Sequence, residues 1–307
     1  MINFKCPICK SEKYEVLKGY KEIGDQNLRS SLVLCDFCGH HFLEIPEEVN
    51  FNHLYSAGRY TVIDTRDSFI DLLLSFDNDL ILRTLSKLKT NNKVLLDFGC
   101  GKGVFLKSAS KYGWSVKGIE TSRKRAEFGK NNYHLDIDTN EFKGGFIKGG
   151  PFNVILLLHV LEHLNDPKYL LKELTNNLVL NGYLIVEVPL FESFQSRLSK
   201  RYWMHLDPPF HISHFTKKRL LSMTEELGFQ TMKLEYFSIH LGILGMVQSL
   251  MRVFKYKKDI IYELKFHKTL YLVCLILIVL PIATVFEGFA VLFSRGGIIR
   301  LYCKKIS

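Results

Sequence analysis

The stretch Asp97-Phe98-Gly99-Cys100-Gly101-Lys102-Gly103 constrains this chain more than any other. An apolar run of strand length, Val94 to Leu96, stops at an acid, and three glycines follow at alternate positions. The spacing then predicts an amphipathic helix from Val104 to Lys111. A second apolar run (Val116, Gly118, Ile119) ends in another acid, Glu120. Together these form one βαβ unit, with a glycine turn after its first strand and a carboxylate after its second. Glycine tolerates positive φ and lets a ligand approach the backbone closely. An acid at the second strand end is placed to accept hydrogen bonds from ribose hydroxyls. The unit therefore predicts a site for an adenosine-containing cofactor.

The turn narrows the choice. A dinucleotide site reads G-x-G-x-x-G and rests a pyrophosphate on the helix N-terminus. Here the spacing is G-x-G-x-G with Asp97 just ahead of it. A carboxylate there repels a pyrophosphate and suits a ligand bearing an ammonium group. "LLDFGCGKG" followed by "GIE" resembles the first two motifs of class I S-adenosylmethionine-dependent methyltransferases. Phe152 to Leu164 resembles that family's fourth strand and the helix after it, and Gly182 to Pro189 its fifth strand. The resemblance implies an α/β, Rossmann-like, seven-stranded sheet whose last strand is antiparallel, with its core over residues 91–240. It implies S-adenosylmethionine as cofactor, contacted by Asp97, Phe98, Gly99, Gly101, Gly103, Glu120, Thr121 and His159. The adenine contact stays open between Asp138 and Asn140, after the third strand region Leu135 to Asp138.

Two close cysteine pairs precede this core: Cys6-Pro-Ile-Cys9 and Cys35-Asp-Phe-Cys38, the second followed by Gly39. Each CxxC turn aims two thiolates at one point, and two such turns complete a tetrahedron. The spacing predicts a zinc ribbon over residues 1–48 with Cys6, Cys9, Cys35 and Cys38 as ligands. His40 and His41 lie beside a shell that four cysteines already fill. A segment of about 45 residues buries too little core to fold alone, so the metal supplies much of its folding energy. Basic residues in the ribbon are offset by acids, and no basic-and-aromatic platform is visible, which argues against a nucleic-acid partner. Met1 to Lys10 is polar and already contains a CxxC, which predicts a chain that is not secreted. A ribbon reading CPxC…CxxCG ahead of the catalytic domain resembles methyltransferases of bacterial surface-glycan clusters. The segment Asn52 to Tyr60 matches their linker, and a helix from Ser68 to Leu88 within the 49–90 linker is expected to cover the cofactor.

Methyl transfer is an in-line displacement at a sulfonium carbon, so the protein must align the acceptor and, for a hydroxyl, remove its proton. Two histidine groups fall beyond the carboxyl ends of the strands, where acceptors bind in such folds. The first is His159, Glu162 and His163, at i, i+3 and i+4. The second is Trp203, His205, Asp207, Pro208, Pro209, His211 and His214, in a loop resembling the family's "W…DPPxHxxxF" segment. The expected base is His163 or His211. A structural role stands beside it, with Glu162 bonding backbone amides and His214 capping the helix near Thr216. A divalent metal held by His159, Glu162 and His163 is a further reading, since metal-dependent 2′-O-methyltransferases of small RNA carry a longer motif of this type.

Near the C-terminus, Thr269 to Phe286 runs uncharged for eighteen residues, the lower limit for a bilayer span. A second apolar stretch, Leu241 to Phe254, precedes it, and residues 294–307 alternate like a final strand. If that strand pairs beside the sixth, near Gln230 to Phe237, both ends of the 241–293 insertion lie on one side of any membrane. Basic flanks at Lys255 to Lys268 and Arg295 to Lys305 agree. The expectation is a helical hairpin hinged at Pro281 that dips into the cytoplasmic leaflet; the alternative is an apolar pair packed internally or in a dimer. With a net charge of +10 favouring an anionic partner, the sequence predicts an S-adenosylmethionine-dependent methyltransferase at the cytoplasmic membrane face. Its expected acceptor is the oxygen of a sugar or lipid-linked glycan in polysaccharide biosynthesis. The competing readings are an RNA methyltransferase and a non-catalytic zinc scaffold.

Overall fold

The computed structural model describes residues 4–23, 30–45, 69–90, 92–256, 258–267 and 269–306. The segment Asn52 to Tyr60 lies outside them. Three short strands open the chain: β1 (Tyr14–Val16), β2 (Ser31–Cys35) and β3 (His41–Glu44). Helix α1 (Phe69–Leu85) leads into β4 (Val94–Phe98), α2 (Val104–Lys111), β5 (Ser115–Ile119), α3 (Arg123–Tyr133) and β6 (Ile137–Asp138). Then come β7 (Phe152–Leu158), a 3₁₀ turn (Leu161–His163), α4 (Pro167–Thr175), β8 (Leu178–Pro189) and α5 (Phe194–Ser199). After β9 (Ser213–His214), α6 (Lys217–Glu225) and β10 (Phe229–Glu235), a π-helical turn (Ile239–Ile243) starts the insertion. Its helices are α7 (Leu244–Val253), α8 (Ile260–Phe266) and α9 (Leu270–Leu292), and β11 (Ile298–Lys305) ends the fold.

The central sheet has the order β10-β11-β8-β7-β4-β5-β6, with β11 antiparallel to both neighbours. Two cores form on its two faces because alternate strand residues point to opposite sides. Leu96, Ile155, Leu157, Leu184, Val186, Ile299 and Leu301 pack on one face with α4, α6 and the cysteine-bearing segment. Leu95, Val154, Leu156, Tyr183, Ile185 and Tyr302 pack on the other with α1, α2 and α3. By the same alternation Glu187 of β8 and Arg300 of β11 belong to the second face. Both are buried and paired there, Arg300 Nε donating to Glu187 Oε2. Arg300 Nη1 also donates to Glu235 Oε2 at 2.9 Å, and that oxygen accepts from Tyr302 Oη at 2.9 Å.

The N-terminal strands form a second sheet, β1-β2-β3-β9, whose last member comes from the loop after β8. His41 pairs with His214 and Phe42 with Ser213, and Leu43 N–H donates to Ile212 C=O at 2.9 Å. Leu32, Leu43 and Ile23 share a core with Trp203, Leu206 and Ile212. Lys10 Nζ meets the Asp166 carboxylate, the N-cap of α4, at 2.6 Å. Thr216, not His214, caps α6, accepting from Arg219 N–H at 3.2 Å.

Helix α9 runs unbroken through Pro281, so the expected hinge is not there. Packing on both sides holds it: Ile276, Val279 and Ala283 bury against Met246, Val247 and Met251 of α7. Glu287 accepts from Gln195 Nε2 at 2.9 Å and from Gly297 N–H at 2.7 Å. The chain turns back instead between α7 and α9. Asp77 of α1 binds the start of the insertion, accepting from Ile239 N–H at 2.8 Å and from Ser238 Oγ at 2.9 Å, with His240 Nδ1 at 2.6 Å.

Breaking a buried pair strands the remaining charge and costs about 3–5 kcal/mol. Arg300→Met should lower unfolding free energy in urea by about that amount. Adding Glu187→Gln should recover part of the loss; a single variant as stable as the parent contradicts the assignment.

Candidate active site

The glycine turn stands at the C-terminal end of β4. Gly99, Gly101 and Gly103 all have positive φ, at 81°, 55° and 77°. Gly99 and Cys100 donate their N–H groups to Ile119 C=O, which closes the turn against β5. A Cβ at Gly99 meets Val160 Cγ2 at 2.6 Å, whereas one at Gly101 meets nothing within 4 Å. Gly99 thus serves packing, and Gly101 faces open space where a ligand can lie against the backbone. Glu120 Oε2 accepts from Gly101 N–H at 2.9 Å and Oε1 from Ser122 N–H at 2.8 Å, which fixes the carboxylate over the turn. Asp97 is buried; desolvation first, and then the Glu120 charge, push its pKa up to about 7. Two carboxylates crowded at the rim of an open cradle fit a ligand carrying an ammonium and vicinal hydroxyls. Phe98 packs edge-on against Phe142, and Thr121 is exposed beside Glu120. Asp138 Oδ1 accepts from Asn140 N–H and Nδ2, both at 2.9 Å, so the two candidates for the adenine contact are bonded to each other.

His159 follows β7 with a left-handed φ of 57°. Its Nε2 lies 2.8 Å from Glu187 Oε1 and its Nδ1 3.2 Å from Glu162 Oε1. Burial alone favours the neutral ring, but the two carboxylates outweigh it and raise the pKa to about 10. His159 is therefore an imidazolium with both nitrogens engaged. It cannot ligate a metal, which corrects the His159–Glu162–His163 set. A contact to the cofactor is left to its ring face or its backbone.

His163 turns away from His159 and meets His211 instead, ring centroids 4.6 Å apart and nearly perpendicular. Nδ1–H of His163 donates to Phe210 C=O at 3.0 Å and Nδ1–H of His211 to His205 C=O at 2.8 Å. The loop after β8 thus brings His211 to His163, the two histidines expected as candidate bases. His214 is buried in β9, and burial with the neighbouring histidines holds it neutral. Sequence reasoning missed Glu187, Arg300 and the Asp77–His240 pair. The available signal was a single charge inside an apolar strand, in Val186-Glu187-Val188 and Ile299-Arg300-Leu301.

In the N-terminal sheet, Cys6 and Cys38 sulfurs lie 3.5 Å apart, as do those of Cys9 and Cys35, and all four lie within 4.8 Å of one another. A tetrahedral zinc with Zn–S of about 2.3 Å needs sulfurs roughly 3.8 Å apart, so the donor set fits zinc. Lys10 and Gly39, each just after the second cysteine of its pair, both take positive φ, at 62° and 67°. His40 is not a ligand; it is buried against the Phe42 and Phe215 rings.

A family model described as a methyltransferase domain matches residues 66–234, more than half of the chain. A ubiquinone biosynthesis O-methyltransferase of Pelagibacter ubique is 34% identical over 112 residues, covering 35% of this chain and 46% of that protein. A mitochondrial ubiquinone biosynthesis O-methyltransferase of Schizosaccharomyces pombe is 27% identical over 154 residues, covering 48% and 56%. The chain thus spans about half the length of the curated relatives it matches. An S-adenosylmethionine-dependent methyltransferase of Archaeoglobus fulgidus is 16% identical and aligns with a TM-score of 0.48, covering 84% of this chain and 100% of that one.

Only ionised Asp97 pairs with an ammonium, so binding below pH 7 must release its proton. S-adenosylmethionine affinity should be complete above pH 7 and fall about tenfold per unit below it. Calorimetry in buffers of different ionisation enthalpy should show that release, and Asp97→Asn should abolish it; a parent affinity flat from pH 5 to 7 contradicts the assignment. The family match and the seven-stranded topology together make this chain a class I S-adenosylmethionine-dependent methyltransferase.

Proposed function

We propose that this enzyme methylates a hydroxyl oxygen of a lipid-linked sugar at the cytoplasmic face of a membrane. The observation that carries this reading is the position of the insertion beside the acceptor loop. Helix α7 packs against the Met204–Leu206 turn of that loop, and the Arg252 guanidinium lies over the Tyr202 ring at 5.9 Å. Helix α9 is long and apolar enough to cross a membrane, with only 28% of its apolar window buried. Leu277, Ile278, Ile282, Val285 and Phe289 face outward from it. The insertion leaves at the end of β10 and returns at the start of β11, adjacent antiparallel strands in which Glu235 pairs with Arg300. Both ends of the insertion therefore lie on one side of a bilayer, which favours an apolar face lying in one leaflet over a single crossing.

S-adenosylmethionine, when bound, supplies a methyl group already activated on a sulfonium. The chain must bind it through Asp97, the glycine turn and Glu120, and must present the acceptor hydroxyl at the His163–His211 pair. Oxygen as the acceptor atom is supported by the relatives, which are named as O-methyltransferases. Those names, with the apolar α9 face, also favour a second acceptor class, a polyprenylated phenol. We assign zinc to the four cysteines as a structural ion. The edge of its sheet is occupied by β9, so the ribbon braces the acceptor loop and does not offer that edge to RNA.

Labelled methyl from S-adenosylmethionine should enter the organic-extractable fraction of membranes, and acid hydrolysis should release it on a sugar. Label on a phenolic lipid selects the second class; label on RNA or protein overturns both. Ile278→Lys with Ile282→Lys should lose most binding to anionic vesicles while retaining cofactor affinity, and unchanged sedimentation contradicts the membrane reading.

A further inference from the structure

The acceptor side holds a cluster whose arrangement exceeds what a general base requires. One ligand atom each from Glu162, His163 and His211 lies within 4.8 Å of the others. Both histidines donate Nδ1–H to backbone carbonyls, Phe210 C=O and His205 C=O, which puts the basic lone pair of each ring on Nε2. Metal-bound histidines are oriented in this way by a carbonyl or carboxylate behind them. Glu162 is 1% exposed; Oε1 is held by His159, and Oε2 is buried with no hydrogen-bond partner among the described residues. A buried carboxylate oxygen left unpaired carries a substantial desolvation cost. A cation against it removes that cost. Asp207 Oδ2 stands 3.9 Å from His211 Nε2, beside the cluster.

We propose that Glu162, His163 and His211 bind a divalent transition-metal ion at the acceptor site, separate from the four-cysteine site. Two imidazoles and one carboxylate suit Zn²⁺, Fe²⁺, Co²⁺ or Mn²⁺ and disfavour Mg²⁺ and Ca²⁺, which take oxygen ligands. With three protein ligands, positions stay open for the acceptor. The proposal rests on the hydroxyl-acceptor reading and supplies its chemistry. A hydroxyl oxygen bound to the ion acidifies, and its proton passes to the Asp207 carboxylate and on to water. The oxygen lone pair then forms the O–C bond to the methyl group while the C–S bond breaks, its electron pair remaining on sulfur.

The test adds Co²⁺ to full-length protein whose ribbon is loaded with zinc. One equivalent should bind with weak d–d absorption and no thiolate-to-metal band, since its ligands are nitrogen and oxygen. His211→Gln and Glu162→Gln should each weaken that binding at least tenfold, with S-adenosylmethionine binding by calorimetry as the control for folding. Should a variant lose cofactor binding, the wild-type spectrum decides alone. No bound Co²⁺, a thiolate band only, or undiminished binding in folded His211→Gln overturns the proposal. Methyl transfer to a hydroxyl that persists after overturning leaves the functional reading in place.

Discussion

A chain of buried charges organises the catalytic end of this fold. Arg300 on the last strand neutralises Glu187 on β8, Glu187 holds His159, and His159 holds Glu162. Each member would be costly alone in the interior, and each is kept charged by the next. The consequence is long-range. The strand that enters last, after some sixty residues of insertion, supplies the cation at the head of this chain of charges. The return of β11 and the geometry of the turn after β7 are therefore coupled through one line of contacts. The Asp77–His240 contact adds a second tie, joining α1 to the first residues of the insertion.

The cysteine-bearing sheet has an equally specific place. Its outer strand is β9, two residues of the loop after β8, and its core contains Trp203, Leu206 and Ile212 from that loop. The loop that carries His211 and a Pro-Pro pair gains a rigid neighbour on one flank, while α7 covers another part of it. Sites that must align an acceptor gain most from such support, because small displacements of the reacting groups are costly. The cysteine-bearing sheet and the insertion are thus two clamps on one loop, one polar and one apolar.

Much of this was legible from local spacing. The strand–glycine turn–helix unit reads directly because Asp97, the three glycines and Glu120 lie within one βαβ element, and the paired cysteines read for the same reason. The alternation in Ile298 to Cys303 marks a final strand, and its antiparallel place is what the family resemblance implied. Partner choice among the histidines did not follow. His159 and Glu162 do meet as an i, i+3 pair, but the left-handed turn at His159 sends its ring toward Glu187, and His211 arrives from a loop remote in sequence. Single charges in apolar strands give no local sign of their partners, so Glu187 and Arg300 stayed hidden. Pro281 reads as a break, yet a helix held on both sides by packing and by Glu287 carries a proline through.

The central claim is that the cradle at β4 and the histidine cluster after β7 serve one transfer. A crystal structure with S-adenosylhomocysteine tests it most directly. The account predicts the ligand's ammonium on Asp97, its ribose hydroxyls on Glu120, and its sulfur directed at His163 and His211. A ligand seated elsewhere, or one whose sulfur points away from that pair, contradicts it.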